Sequence, residues 1–184
     1  MEIHAGTAEV FAVVSDLRRK ARLNPNIEVI RVELEGSEPV REGSVFFHRF
    51  QKGPQIVEYR SRCVRCVPPR LFESHGETDP PFEVRVTVEP TLEGCRLTQE
   101  EVLEVPPEVL DALEAGPGRE RGFREILRLL PIFPVARQLG SELRALQRER
   151  VARRLAGELE AWLLAIRAHV EARAGADVGG GWRQ

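Results

Sequence analysis

F-E-V-R-V-T-V-E, residues Phe82 to Glu89, is the stretch on which the fold turns. Phe82, Val84, Val86 and Val88 alternate without interruption with Glu83, Arg85, Thr87 and Glu89. Period-two alternation of this kind marks an antiparallel strand with one dry and one wet face. Similar segments flank it on both sides. Upstream, residues 27–35 place Ile30, Val32 and Leu34 on one face, and Gly36-Ser37 and Glu42-Gly43 bracket the turn that follows. Residues 44–51 then set Phe46, His48 and Phe50 on one side, and Lys52-Gly53-Pro54 reverses the chain. Residues 55–67 alternate Val57, Tyr59, Ser61 and Cys63, predicted to face inward, with Glu58, Arg60 and Arg62, predicted to face water. After Pro68-Pro69, residues 70–77 form a shorter strand carrying Phe72 and His75, and Asp79-Pro80-Pro81 marks the next turn. Downstream, Thr91 to Gly94 turns into a strand over 95–105, where Cys95, Leu97 and Leu103 share a side with Gln99 and Glu101.

Helical signals lie at the two ends of this meander. Thr7 stands where an N-cap is expected, and Val10, Phe11, Val13, Val14 and Leu17 recur at helical spacing, predicting a helix over 8–16. Glu2 to His4 fits the end of a first strand. A further turn of helix carries Arg18, Arg19, Lys20 and Arg22, read as a solvated basic face, and stops before Asn24-Pro25 because the residue before proline avoids the α region. Beyond the sheet, Pro106-Pro107 opens a short helix over 108–115, Gly116-Pro117-Gly118 breaks it, and another helix over 120–130 stops at Pro131. From Ser141 to about Ala174, Leu143, Leu146, Val151, Leu155, Leu159, Trp162, Leu163, Ile166 and Val170 form an apolar stripe wide enough to cover a sheet. The class is therefore α+β: a curved antiparallel sheet of six or seven strands and a long C-terminal helix, with extra helices between them. Residues 1–175 form one domain and 176–184, rich in glycine, a flexible tail.

Composition excludes several functions. The 184 residues carry a formal charge of −2 and 42% hydrophobic residues, so nucleic acid is a poor partner. No apolar run approaches the ~20 residues that span a bilayer, and the N-terminal decapeptide has no export pattern, which predicts a cytoplasmic protein without stable membrane insertion. Cys63, Cys66 and Cys95 are an odd number without a disulfide framework. Cys63 and Cys66 form a C-x-x-C inside a strand, where residues three apart point to opposite faces, and no second ligand pair accompanies it. No metal and no cofactor is expected. There is no P-loop, nucleophile elbow or dinucleotide fingerprint.

T-A-E-V-F-A-V-V-S-D (Thr7 to Asp16), N-P-N-I (Asn24 to Ile27), E-G-S-V-F (Glu42 to Phe46), V-P-P-R-L-F-E-S (Val67 to Ser74), G-C-R-L-T-Q (Gly94 to Gln99) and R-R-L-A-G-E-L-E-A-W-L (Arg153 to Leu163) together resemble the START-like, or SRPBCC, superfamily. Within it the chain is similar to the polyketide cyclase/dehydrase and lipid-transport group. The resemblance implies a helix-grip fold, in which the antiparallel sheet wraps the C-terminal helix around a deep apolar cavity. Two departures stand out: a first strand nearly absent before Thr7, and a long connection from Val105 to Gly140.

Several functions fit this frame. A carrier would hold a lipid-like or polycyclic apolar molecule between sheet and helix, in a pocket with few converging polar groups. A cyclase or dehydratase would need at least two of His48, Tyr59, His75 and Glu101 in one cavity, because such chemistry binds carbonyls and moves protons. Candidate cavity residues are Phe46, His48, Phe50, Tyr59, Cys63, Phe72, His75, Val84, Val86, Gln99, Glu101, Leu159, Trp162 and Leu163. A histidine between two phenylalanines is more often a hydrogen-bonded core residue than a catalyst, and a strand carboxylate is as often solvated as enclosed. Phe123, Leu127, Leu130, Ile132 and Phe133 fit a lid or an interface, including that of a homodimer or of a protein-interaction module acting through 120–140. Packing of that segment on its own domain is the plainer alternative.

Overall fold

The computed structural model describes residues 1–78, 81–103 and 142–179; within the last segment, side chains are described for 153 and 155–175. Seven strands form one antiparallel sheet. They are β1 (Glu2–Ile3), β2 (Glu28–Glu35), β3 (Val45–Lys52), β4 (Gln55–Val67), β5 (Leu71–Glu77), β6 (Phe82–Thr91) and β7 (Gly94–Leu103), in the spatial order β1-β7-β6-β5-β4-β3-β2. Helices α1 (Thr7–Ser15) and α2 (Leu17–Arg22) join β1 to β2, and α3 (Glu142–Gly179) follows the sheet. Every neighbouring pair is antiparallel, so β2 to β7 is a meander, and β1 returns to its far side. This is the helix-grip arrangement. The predicted helices over 108–115 and 120–130, the candidates Phe123, Leu127, Leu130, Ile132 and Phe133, and residues 180–184 of the expected tail lie outside the described residues.

The first strand exists, although only Glu2 and Ile3 pair with Arg96 and Cys95 of β7. It is held closely. A Cβ on Gly94 would lie 2.1 Å from the Ile3 carbonyl oxygen, and the positive φ of Gly94 (151°) belongs to the same tight crossing. Helix α1 starts one residue earlier than the N-cap reading placed it. Gly6 is the cap, its N–H donating to the Glu9 carboxylate at 3.0 Å. The buried face of α1 (Val10, Phe11, Val13, Val14) packs with Ile166 and Val170 of α3 over Phe46, Phe72, Val86, Val88, Cys95 and Leu97 of the sheet. Burial of each such side chain is worth roughly 1.5–3 kcal/mol before entropy is counted, so this layer holds the sheet to its helices.

Two β-bulges break the simple alternation and overturn two readings. In β2 the register slips between Val29 and Arg31, so Ile30 is the extra residue and is 47% exposed instead of sharing the face of Val32 and Leu34. In β4 it slips between Cys63 and Arg65. The additional residue turns Cys66 back to the core side that Cys63 occupies, where the Cys63 thiol donates to the Arg65 carbonyl at 3.6 Å and the Cys66 thiol to the Val40 carbonyl at 3.9 Å. They do not point to opposite faces. Among the described residues no three His, Cys, Asp or Glu side chains are grouped to hold a metal ion, and no helix is long and apolar enough to cross a membrane.

Candidate functional site

Toward the end of the sheet away from the α1 packing layer, the inner face changes from apolar to polar. On β7, Cys95 and Leu97 are buried in the core, whereas Gln99 and Glu101 continue the same face and are also buried. Antiparallel pairing puts Val86 opposite Gln99 and Val84 opposite Glu101. On β3 and β4, His48 lies directly across from Tyr59. These strands, with α2 and α3, enclose a partly open cavity of about 60 Å³. Its polar lining is Lys20, Asn24, His48, Tyr59, Ser61, Ser74 and Glu101; its apolar lining includes Leu17, Ile27, Phe50, Phe82, Val84 and Trp162.

His48 is fixed by two contacts. It shares a 2.8 Å hydrogen bond with the Ser61 hydroxyl through Nε2, and its ring stacks on Tyr59 at 4.4 Å between centroids with 6° between planes. Burial, and then the nearby Lys20 cation, push its pKa down to about 3, so the imidazole is neutral at ordinary pH. Tyr59 in turn meets Phe82 edge-on at 5.3 Å. Phe82 reaches that position because position 76 has no side chain: a Cβ on Gly76 would fall 1.9 Å from the Phe82 ring. Desolvation, and secondly the Glu101 charge, push the Tyr59 phenol upward, so it stays protonated.

Glu101 is 5% exposed. Gln99 Nε2 donates to one of its oxygens, while Glu101 Oε2 and Gln99 Oε1 have no hydrogen-bond partner among the described residues. An unpartnered buried acceptor costs about 1–3 kcal/mol, which a ligand's donor would recover. Desolvation raises the Glu101 carboxyl toward neutrality, against the opposing pull of Lys20 and the Gln99 hydrogen bond. The group can therefore both donate and accept a proton near neutral pH.

Lys20 reverses the expectation of a solvated basic face. Arg19 and Arg22 are exposed, but Lys20 is 2% exposed and enters the cavity from α2. Its ammonium lies 4.8 Å over the Trp162 ring, and the Trp162 indole N–H donates to the Lys20 carbonyl oxygen at 2.9 Å. Burial lowers its pKa, and Glu101 opposes the shift. No ion pair within 4 Å joins Lys20 to Glu101 among the described residues, so the two groups face one cavity without neutralising each other by contact. Helix α3 is drawn over this end by Lys52, which pairs with Glu158, and by Asn26, whose side-chain amide donates to the Glu158 carbonyl at 2.9 Å.

Of the residues singled out from the sequence, His48, Phe50, Tyr59, Val84, Glu101 and Trp162 line the cavity. Gln99 touches it through Glu101. Phe46, Cys63, Phe72 and Val86 belong to the dry core instead, and burial pushes the Cys63 thiol up to about 12. Leu163 packs against that core and Leu159 is half-buried on α3, neither on the cavity wall. His75 occupies the outer face, exposed, 3.6 Å from the Glu83 carboxylate. Lys20, Asn24, Ser61 and Ser74 were not singled out. The strand pattern carried a signal for Ser61, since it alternates with Tyr59 and Cys63; nothing local marked Lys20.

The model of the family described as polyketide cyclase / dehydrase and lipid transport matches residues 1–130. No functionally curated protein matches the sequence. Among solved structures, the chain is similar to the di-domain ARO/CYC StfQ from the steffimycin biosynthetic pathway, with 18% identity and a TM-score of 0.64 over 95% of this chain and 50% of that one. The di-domain ARO/CYC BexL gives 19% and 0.58 over 93% and 48%. The chain thus spans about half the length of both. A Thermus thermophilus protein gives 13% and 0.58, with 93% of each chain covered.

Proposed function

Because the chain belongs to the polyketide cyclase / dehydrase and lipid transport family, we propose that its cavity binds a carbonyl-bearing, largely apolar small molecule and moves protons on it, in the manner of a cyclase or dehydratase. The observation that carries this reading is Glu101: a buried carboxyl with an unpartnered oxygen, raised toward neutrality, in one cavity with His48 and Tyr59. A pure container for apolar molecules has no use for such a group, which costs free energy to bury. In the reaction envisaged, Tyr59 donates a hydrogen bond to a ligand carbonyl. Glu101 removes a proton from the adjacent carbon and returns one to the departing hydroxyl, while neutral His48 holds Tyr59 by stacking. A cavity of about 60 Å³ takes one carbonyl and a few carbons, so the described walls receive the reacting end of a larger molecule.

The test is ring closure of a synthetic linear 1,3,5-triketone, followed by absorbance of the aromatic product. The wild-type chain accelerates closure, and Glu101→Gln loses at least ~100-fold of that acceleration. Equal rates with and without Glu101 overturn the reading. The apolar part of the lining, Leu17, Ile27, Phe50 and Trp162, favours a second reading, a carrier. Native mass spectrometry of protein taken directly from cell extract supports it if a small molecule is retained while the triketone is left unchanged.

A further inference from the structure

The chain holds 25 arginines and two lysines, Lys20 and Lys52. Arginine is its general cation, used on the outer faces of the strands against Glu35, Glu58 and Glu77. The two lysine amines are placed differently from those guanidinium groups. Lys52 is committed to an ion pair with Glu158 on α3. Lys20 is buried in the cavity, beside apolar Leu17 and Ala21, with the Trp162 ring beneath its nitrogen. A guanidinium cannot act as a nucleophile at ordinary pH, whereas an amine can once it sheds its proton. The position therefore carries a chemistry that arginine would lack.

We propose that Lys20 is a carbonyl-capturing residue, which forms an imine with a ketone or β-diketone group seated in the cavity. This rests on the reading of the cavity as a carbonyl site and adds a covalent step to it. The Nζ lone pair adds to the carbonyl carbon, and the C=O π pair moves to oxygen, which takes a proton from the Glu101 carboxylic acid. The Glu101 carboxylate takes a proton from the carbinolamine nitrogen and passes it to the hydroxyl, which leaves as water while the nitrogen lone pair forms the C=N⁺ bond of the iminium. The net change is amine, carbonyl and the Glu101 proton to iminium, water and Glu101 carboxylate, with no oxidant or reductant. Glu101, left as carboxylate, then takes a proton from the adjacent carbon and gives the enamine, the carbon nucleophile that ring closure needs.

Two further observations fit the cationic intermediate. The Trp162 face that lies 4.8 Å from the ammonium stabilises an iminium cation by the same quadrupole attraction. The indole N–H bond to the Lys20 carbonyl ties the lysine backbone to the same residue, so the side chain is anchored at both ends. Burial also lowers the Lys20 pKa, against the opposing pull of Glu101, which favours the free amine that the addition needs.

The test uses the full chain with pentane-2,4-dione, the smallest piece of a poly-β-ketone, which forms a stable conjugated enaminone with an amine. Intact mass should rise by one diketone less one water, with a new near-ultraviolet band. Peptide mapping of the wild-type adduct should place it on Lys20, with Lys52 unmodified as an internal control. Lys20→Met should lose the adduct while keeping the wild-type circular dichroism. No adduct, an adduct on Lys52 or the N-terminal amine alone, or equal labelling of Lys20→Met each overturns the proposal. A chain that closes the triketone without ever forming the adduct loses Lys20 capture and keeps proton transfer by Glu101. A chain that forms the adduct and leaves the triketone unchanged keeps Lys20 and loses the cyclase reading.

Discussion

Strand β7 carries Cys95 and Leu97 on the same inner face as Gln99 and Glu101, and β4 carries Cys63 on the same face as Ser61 and Tyr59. The α1 end of the sheet interior is filled by apolar side chains closed under Val10, Val14, Ile166 and Val170. The cavity end, built by the same strands, buries a lysine, a glutamate, a glutamine and a histidine. The first arrangement stabilises the fold; the second opposes it, because each buried polar group has lost water and two acceptors lack partners among the described residues. The packing that holds the fold and the polar groups on which the proposed chemistry rests thus lie at separate ends of one sheet.

Substitutions should separate the two ends, beginning with the largest effect. Phe72 is fully buried in the dry end, and Phe72→Ala should cost about 3–5 kcal/mol in denaturant unfolding. A loss below about 1 kcal/mol would mean that this layer does not hold the sheet. Gly76→Ala drives a methyl group into the Phe82 ring and should cost about 1–3 kcal/mol, with a changed near-ultraviolet circular dichroism signal from Phe82 and Tyr59. An unchanged signal would show that the cavity does not depend on that close approach.

The pH dependence should differ in sign between two cavity groups. Glu101 has a folded pKa above its ordinary 4.5, so its contribution to stability is fully present below that value and is lost as pH rises through the raised one. His48 has a folded pKa of about 3 against an ordinary 6.5, so its contribution is present above 6.5 and is lost as pH falls toward 3. Thermal unfolding across pH 3–8 should therefore show a smaller decline toward neutral pH in Glu101→Gln, and a smaller decline into acid in His48→Gln. Profiles parallel to wild type would place both groups in water. The smallest effect is expected at Arg62→Ala, whose exposed pair with Glu77 should leave thermal stability unchanged within error.

Much of the architecture was legible in sequence because strand periodicity is local. The limits of β4 follow from Lys52-Gly53-Pro54 and Pro68-Pro69, and the inward set Val57, Tyr59, Ser61 and Cys63 follows from alternation alone. Bulges were not legible. Nothing in V-I-R or C-V-R-C marks an inserted residue, so Ile30 was placed inside and Cys66 opposite Cys63. The site was half visible: His48 and Tyr59 lie on strand faces that alternation assigns, Glu101 lies on a strand where the pattern leaves the solvated and enclosed readings even, and all three line one cavity. Lys20 was hidden for a different reason. It lies in R-R-K-A-R, where the charges argue for solvent, and only packing of α2 against Trp162, 142 residues away in sequence, encloses it. His75 shows the converse, a histidine whose register turns it to the wet face.

Proton transfer at a carbon next to a carbonyl is the step on which the proposed function rests. Exchange of the α-protons of a simple methyl ketone in heavy water, followed by proton NMR with and without protein, measures that step free of any assumption about the natural ligand. Proton transfer at Glu101 predicts exchange faster than in buffer alone with the wild-type chain, reduced to the buffer rate in Glu101→Gln and left intact in Arg62→Ala. Exchange at the buffer rate with saturating wild-type protein, or at one rate in wild type and Glu101→Gln, would contradict it.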